Sequence, residues 1–319
     1  MRRLFSITRI MQLLRYWCDC HRHLFFARLF LVCVPSLEGT LTLLGDAELG
    51  HMQKEKRAQR EARLSELGFT NLSGAEEGRE EMVSIGIFSY NRFDLLKRTC
   101  DSLALFLDKY GHEFRHEVLF FHDGPNEEIE AWVRSSPLFD KVFFNTESKG
   151  LAWNLNRFWF KESRGKYILD LEEDWVCEPH DNFINNAIAI LNGDDNIGIV
   201  RLERKYPGDY RKWDEAYKIH ARIFSKQVFT TGDGKHAYRV LEEQKSGEGI
   251  WSNSSGLLRF ASLAVSGGQN DERQRPRIQE HKYEKIYNQY WQGARGILQK
   301  DNPFMHIGYG RTTVAQEKK

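Results

Sequence analysis

Lys166-Tyr167-Ile168-Leu169-Asp170-Leu171-Glu172-Glu173-Asp174-Trp175 reads as a buried strand that runs directly into three carboxylates. A strand needs none of them to fold. Alternate residues of an extended backbone share a face, so Glu172 and Asp174 are expected on one side and Glu173 on the other. Like charges held side by side are costly unless a cation or a donor-rich ligand lies between them. A solvated acidic turn after an edge strand would account for the tripeptide alone, so the neighbouring segments must decide.

Upstream, apolar runs and helical periodicities alternate. Val83–Phe88 is strand-like, and Ser89-Tyr90-Asn91-Arg92 follows it, with Asn91 placed to cap a helix. Leu96, Cys100, Leu103 and Leu107 recur at helical spacing, which predicts a helix from Arg92 to Lys109. Glu117–Phe121 predicts a second strand, Asp123-Gly124 a turn, Glu127–Arg134 a short helix and Lys141–Asn145 a third strand. Leu151–Glu162 predicts a helix before the acidic strand Tyr167–Leu171. Phe183–Leu191 and Ile197–Leu202 predict a helix and a strand after it. Such alternation implies an α/β fold built on a mostly parallel, Rossmann-type sheet with helices on both faces. Ligands of these sheets bind beyond the carboxyl ends of the strands. The residues there are Tyr90 and Asn91, then His122, Asp123 and Gly124, then Asn145, then Glu172 to Asp174. They are polar, small or acidic, whereas the strands before them are apolar.

Composition narrows the function classes. The chain has 319 residues and a formal net charge of +1, without a long run of basic residues, so nucleic acid is not an expected partner. Five scattered cysteines make neither a disulfide framework nor a zinc pattern. Residues 1–37 carry six arginines against one acid, interleaved with apolar residues. Arg28 and Pro35 keep the apolar run below the ~20 residues of a clean span. A short anchor, a targeting peptide and a membrane-surface helix over residues 1–44 all remain open. The location stays open between cytoplasmic and membrane-associated, with the Golgi or ER lumen if that segment is an anchor. Residues 51–67 read as a solvated linker helix. The domain plan is an extension over 1–80, a catalytic domain over 81–312 and a tail over 313–319. Asn-x-Ser acceptors occur at Asn71 and Asn253.

Neither Gly-x-x-x-x-Gly-Lys-Ser/Thr nor Gly-x-Gly-x-x-Gly occurs, so a diphosphate would rely on metal rather than a glycine-rich cradle. Hard divalent cations take carboxylate oxygens and keep positions open for phosphate. Asp174 could hold such a cation, Asp123 could accept from a nucleobase edge, and Tyr90 could pack on the base.

Four features in this order resemble a glycosyltransferase of the GT-A fold, similar to the family-two-like inverting group. They are Ser89-Tyr90-Asn91-Arg92, Asp123-Gly124-Pro125, Lys149-Gly150-Leu151-Ala152-Trp153-Asn154, and Leu171-Glu172-Glu173-Asp174 at the place of the Asp-x-Asp motif. The resemblance covers residues 83 to about 310. It implies a nucleotide-sugar donor, a glycan, lipid or protein acceptor, and Mn2+ or Mg2+. By position it makes Asp174 the metal ligand and sets Glu172 and Glu173 toward the ribose or donor sugar. It gives Asp123 the base and places the Ser89–Arg92 loop, Lys149 and Asn154 beside the donor. Glutamates stand where aspartates are usual. Inverting members need a general base, often in a Glu-Asp pair opening a helix after a Gly-Gly turn. Here Gly267-Gly268 precedes Glu280-His281, so Glu280 is the candidate base, with His281 and Asp271 in reserve. Phe304-Met305-His306-Ile307-Gly308 resembles a late His-x-Gly, which makes His306 a second metal-ligand candidate. The competing readings are a nucleotidyltransferase and a degenerate glycan-binding or scaffold protein that keeps the fold.

Overall fold

The structure is a computed structural model. It describes residues 35–178, 181–203, 228–241, 255–269, 276–296 and 303–308. Two compact units divide the chain at Met52/Gln53. Of the first, the described part is the beginning of helix α1 (Pro35–Glu66). Among the described residues, no helix is long and apolar enough to cross a membrane. Residues 1–34 of the 1–44 segment weighed as an anchor lie outside them.

The second unit holds the alternating elements. After α1 come α2 (Leu72–Ala75), β1 (Glu80–Ser89), α3 (Phe93–Tyr110) and β2 (His116–His122). Then follow α4 (Glu127–Ser135), β3 (Lys141–Phe144), α5 (Leu151–Arg157) and β4 (Gly165–Glu172). Next are β5 (Trp175–Cys177), α6 (Phe183–Gly193), β6 (Ile197–Arg201), β7 (Phe229–Thr230) and β8 (Ala237–Val240). The order ends with β9 (Gly256–Arg259), α7 (Phe260–Ser266), α8 (Pro276–Tyr290), β10 (Gln292–Gly296) and β11 (Phe304–His306).

Nine strands form one mixed sheet in the order β3-β2-β1-β4-β9-β6-β10-β8-β7. The first four are mutually parallel. β9 is inserted antiparallel between β4 and β6. That partner lies some 90 residues downstream of β4, and no local pattern of apolar residues announces it. β5 and β11 make a separate antiparallel pair, with His306 opposite Trp175.

Both faces of the sheet are covered, as the alternation of β4 shows. Tyr167 reaches Asn192 of α6 through its hydroxyl. Asp170, on the other face, accepts from Trp159 Nε1 in a π-helical turn (Phe158–Glu162) that continues α5. Phe88, Phe121, Phe143 and Phe158 stack above this face, at 5.3 Å between Phe88 and Phe121 and 4.8 Å between Phe121 and Phe143. Gly86 of β1 is needed there, because a Cβ would stand 2.7 Å from the Phe158 ring.

Two expectations change. The helix over 51–67 is not a solvated linker. Lys56, Arg60 and Leu64, four apart on one stripe, are buried. Lys56 Nζ donates to the Asn288 and Trp291 carbonyls, and the Arg60 guanidinium lies 4.6 Å from the Trp291 ring centre. Long aliphatic stems cover apolar surface as well as a leucine does, so the stripe was hidden by its charged tips. Asn91 does not cap α3. The cap position is Arg92, without a side-chain bond, and Asn91 instead accepts from Asn126 Nδ2. In α8, Tyr283 and Tyr287 are buried and Ile286 is exposed.

Candidate active site

The acidic strand runs one residue past its expected end at Leu171. β4 ends at Glu172, and Glu173-Asp174 form a turn before β5. The expected alternation therefore stops at Glu172. Glu173 and Asp174 do not point to opposite faces, because both meet one arginine. Arg92 Nε donates to Glu173 Oε1 at 2.6 Å, and Arg92 Nη1 to Asp174 Oδ2 at 2.6 Å.

Glu173 is buried, and its other oxygen accepts from Ser89 Oγ at 2.6 Å and Tyr90 N at 2.9 Å. Its carbonyl accepts from Thr99 Oγ1 of α3. Both of its carboxylate oxygens are thus committed to the Ser89–Arg92 loop. Asp174 is held from a second direction. Ile307 N donates to its carbonyl at 2.8 Å, and His306 Nε2 stands 3.1 Å from Oδ2. Burial alone would raise the Asp174 carboxyl. The bond and charge of His306, together with Arg92, outweigh it and hold the group below the ordinary carboxylate value. Gly308 closes the motif for a steric reason, since a Cβ there would overlap the Asp174 carboxylate and lie 3.0 Å from Arg92 Nη1.

Glu172 differs from both. Its pKa is pushed up to about 8, first by burial, then by the charges of Asp174 and Glu280. Glu280 therefore lies near the end of β4 although 108 residues separate it from Glu172. The packing explains this. In α8, Tyr283 stacks at 5.6 Å on Trp159, which binds Asp170. One helical turn back from Tyr283 is Glu280, and two residues on from Asp170 is Glu172. His281 Nδ1 lies 3.9 Å from Glu284 Oε2 on the same helix. Asp271 lies outside the described residues.

Asp123 organises the third strand-end loop. Its Oδ1 accepts from Asn145 Nδ2, Asn154 Nδ2 and Lys149 N, and its Oδ2 from Ser148 Oγ and Gly150 N, at 2.7–3.1 Å. Burial opposes the charge, but these bonds hold the carboxyl below its usual range. The Lys149 side chain pairs with Glu147. Tyr90 is half-buried, its ring beside Gly124, where a Cβ would touch Cε2 at 3.7 Å. The structure thus brings Glu172, Asp174, Glu280 and His306 together. It gives Ser89, Arg92, Glu173, Asp123 and Asn154 hydrogen-bonding work within the loops.

One residue escaped the sequence reading. Asp170, mid-strand, is buried and its pKa is raised to about 7 by burial, against the Trp159 hydrogen bond. An acid inside an apolar strand was the available signal. His122 is 1% exposed, and neither ring nitrogen has a hydrogen-bond partner. Burial lowers its pKa, so it is neutral at physiological pH.

Among the described residues, no group of three or more His, Cys, Asp or Glu side chains is disposed to hold a metal ion. The donor chemistry nevertheless suits a cation that takes the rest of its shell from phosphate and water. Asp174 is 4% exposed, and its Oδ1 is buried without a hydrogen bond beside an imidazole.

Among solved structures, S. aureus TarS is 14% identical with a TM-score of 0.47, over 70% of this chain and 36% of that one. TarS 1-349 in complex with UDP-GlcNAc gives 14% and 0.45, over 70% and 57%. Mannosyltransferase PcManGT from Pyrobaculum calidifontis, in complex with GDP-Man and Mn2+, gives 15% and 0.41, over 73% and 62%. The chain thus spans between about a third and three fifths of these proteins, and likenesses this distant say nothing of substrate. No curated protein matches the chain. The model of the family described as "Glycosyl transferase family 2" matches residues 84–243, half of the chain. On that match, the chain belongs to glycosyl transferase family 2.

Proposed function

We propose that this chain transfers a sugar from a nucleotide-diphosphate-sugar donor to an acceptor hydroxyl with inversion at the anomeric carbon. The observation that carries the reading is the meeting of Glu172, Asp174, Glu280 and His306 at the carboxyl end of a parallel strand. They come from β4, the turn after it, α8 and β11. Nothing in the stability of the fold calls for that concentration of charge.

In the proposed reaction the acceptor oxygen attacks the anomeric carbon, a new carbon–oxygen bond forms, and the bond to the diphosphate breaks. The diphosphate leaves with the electron pair. Glu280 takes the acceptor's proton. Glu172, at the end of β4 two residues before Asp174, would face the ribose or donor sugar. Asp174 Oδ1, with His306 beside it, would hold a divalent cation such as Mn2+ or Mg2+, which neutralises charge on a departing diphosphate. Donor and acceptor identities belong to this proposal only as classes: a nucleoside diphosphate sugar, and a hydroxyl on a glycan, lipid or protein.

The test is a panel of UDP- and GDP-sugars with Mn2+, followed for nucleotide release and for a rise in melting temperature. At least one donor should bind and turn over. Glu280→Gln should lower kcat by about 10²–10⁴ while donor binding persists. If no donor binds, or if Glu280→Gln turns over as fast as wild type, the reading is wrong.

A further inference from the structure

We propose that Arg92 is a positioning residue that makes Asp174 a one-oxygen ligand and so sets which cation the site accepts. The inference rests on the reading above only in taking Asp174 as the cation ligand. Oδ2 of Asp174 already receives Arg92 Nη1 at 2.6 Å and faces His306 Nε2 at 3.1 Å, so both of its lone pairs are engaged. Oδ1 has no hydrogen bond and is buried. A carboxylate in that state coordinates through one oxygen.

Arg92 is itself locked. Its Nε is bound to Glu173 Oε1, and Glu173 Oε2 is bound to Ser89 Oγ and Tyr90 N. The Ser89–Arg92 loop therefore acts on the cation site through Glu173, without touching the cation. A lysine could not reproduce this, because the fork of the guanidinium spans two carboxylates at fixed geometry.

Cation choice follows from the coordination rules. Ca2+ takes six to eight oxygens and readily uses both oxygens of a carboxylate. Mg2+ and Mn2+ take octahedral shells with one or two carboxylates, completed by water and phosphate. A one-oxygen Asp174 favours the second group. Removing Arg92 frees one lone pair of Oδ2 and opens the two-oxygen mode that Ca2+ uses.

The experiment measures Mn2+ binding to the full chain by electron paramagnetic resonance, alone and with UDP or GDP, with Ca2+ and Mg2+ as competitors. Wild type should bind Mn2+ and resist displacement by Ca2+. Arg92→Gln should weaken Mn2+ binding by about 10–100-fold, as loss of a ligand's hydrogen-bond partner does, and let Ca2+ compete. Arg92→Lys should fall between the two. Should Arg92→Gln not fold, Glu173→Gln loosens Arg92 without removing it, and should shift the Mn2+/Ca2+ preference in the same direction by less. A folded Arg92→Gln that keeps the wild-type preference overturns the proposal and leaves the transferase reading standing. Wild type that binds UDP or GDP but no Mn2+ does the same. Wild type that binds neither nucleotide nor cation overturns both.

Discussion

Replacing Asp170 by asparagine tests the buried face of the acidic strand. Asp170 sits in the middle of β4, 7% exposed, with Trp159 Nε1 at 3.0 and 3.2 Å from its two oxygens. Burial raises its pKa from 3.8 to about 7. A raised carboxyl pKa stabilises the folded state fully only below the unfolded value, and that stability is lost as pH rises through the folded one. The full loss is about 4 kcal/mol above about pH 8, at 1.36 kcal/mol for each unit of pKa. Near pH 5 only about 1.5 kcal/mol of it has been lost. Asparagine does not ionise. It keeps one acceptor for Trp159 and gives up about 1 kcal/mol of hydrogen bonding. The stability of Asp170→Asn relative to wild type should therefore grow by about 3 kcal/mol between about pH 5 and about pH 8.5. Urea denaturation of both proteins at several pH values measures this, because groups other than Asp170 titrate alike in the two and cancel. A difference that stays flat with pH, or that turns against asparagine at high pH, would refute the assignment of the raised pKa to this residue.

Two further substitutions probe the loops. Asp123→Ala removes the acceptor of five hydrogen bonds from the Asn145–Asn154 segment, and should cost about 3 kcal/mol by thermal or chemical denaturation. Its depressed pKa means that this contribution is present above about pH 4 and lost as pH falls through the lower folded value, so wild type and variant should converge in acid. Gly308→Ala would drive a methyl into Asp174 and toward Arg92. Activity and Mn2+ binding should fall together by about tenfold or more, since a ligand's support is displaced. Unchanged Mn2+ binding in a folded Gly308→Ala protein would show that β11 does not support the site.

The sequence determined the α/β alternation, because buried parallel strands and amphipathic helices differ in period and in length of apolar run. It also located the strand-end residues, since a switch from apolar to polar at the end of each run is a local property. Tyr90, Asn91, Asp123 and Glu172–Asp174 were found that way, whereas Ser89, Arg92, Lys149 and Asn154 came from the resemblance to a family. The buried stripe of α1 was not legible, because the groups that let Lys56 and Arg60 be buried, the Asn288 and Trp291 carbonyls and the Trp291 ring, come from far along the chain. Nor was the antiparallel insertion of β9, whose partners are far away in sequence.

What the acids do was decided only by the tertiary structure. Whether a carboxylate serves a ligand or the fold depends on which donors surround it, and most of those donors come from other elements. Glu173 looked like Glu172 in the sequence, yet Ser89, Tyr90 and Arg92 engage it completely. Asp174 keeps one open oxygen because Arg92, 82 residues before it, and His306, 132 residues after it, converge on the other. Glu280 reaches the same place because α8 is anchored through Tyr283 beside Trp159. Chain direction and side-chain period fix positions within an element, but the proximity of charges from four elements exists only once the sheet and its helices have packed.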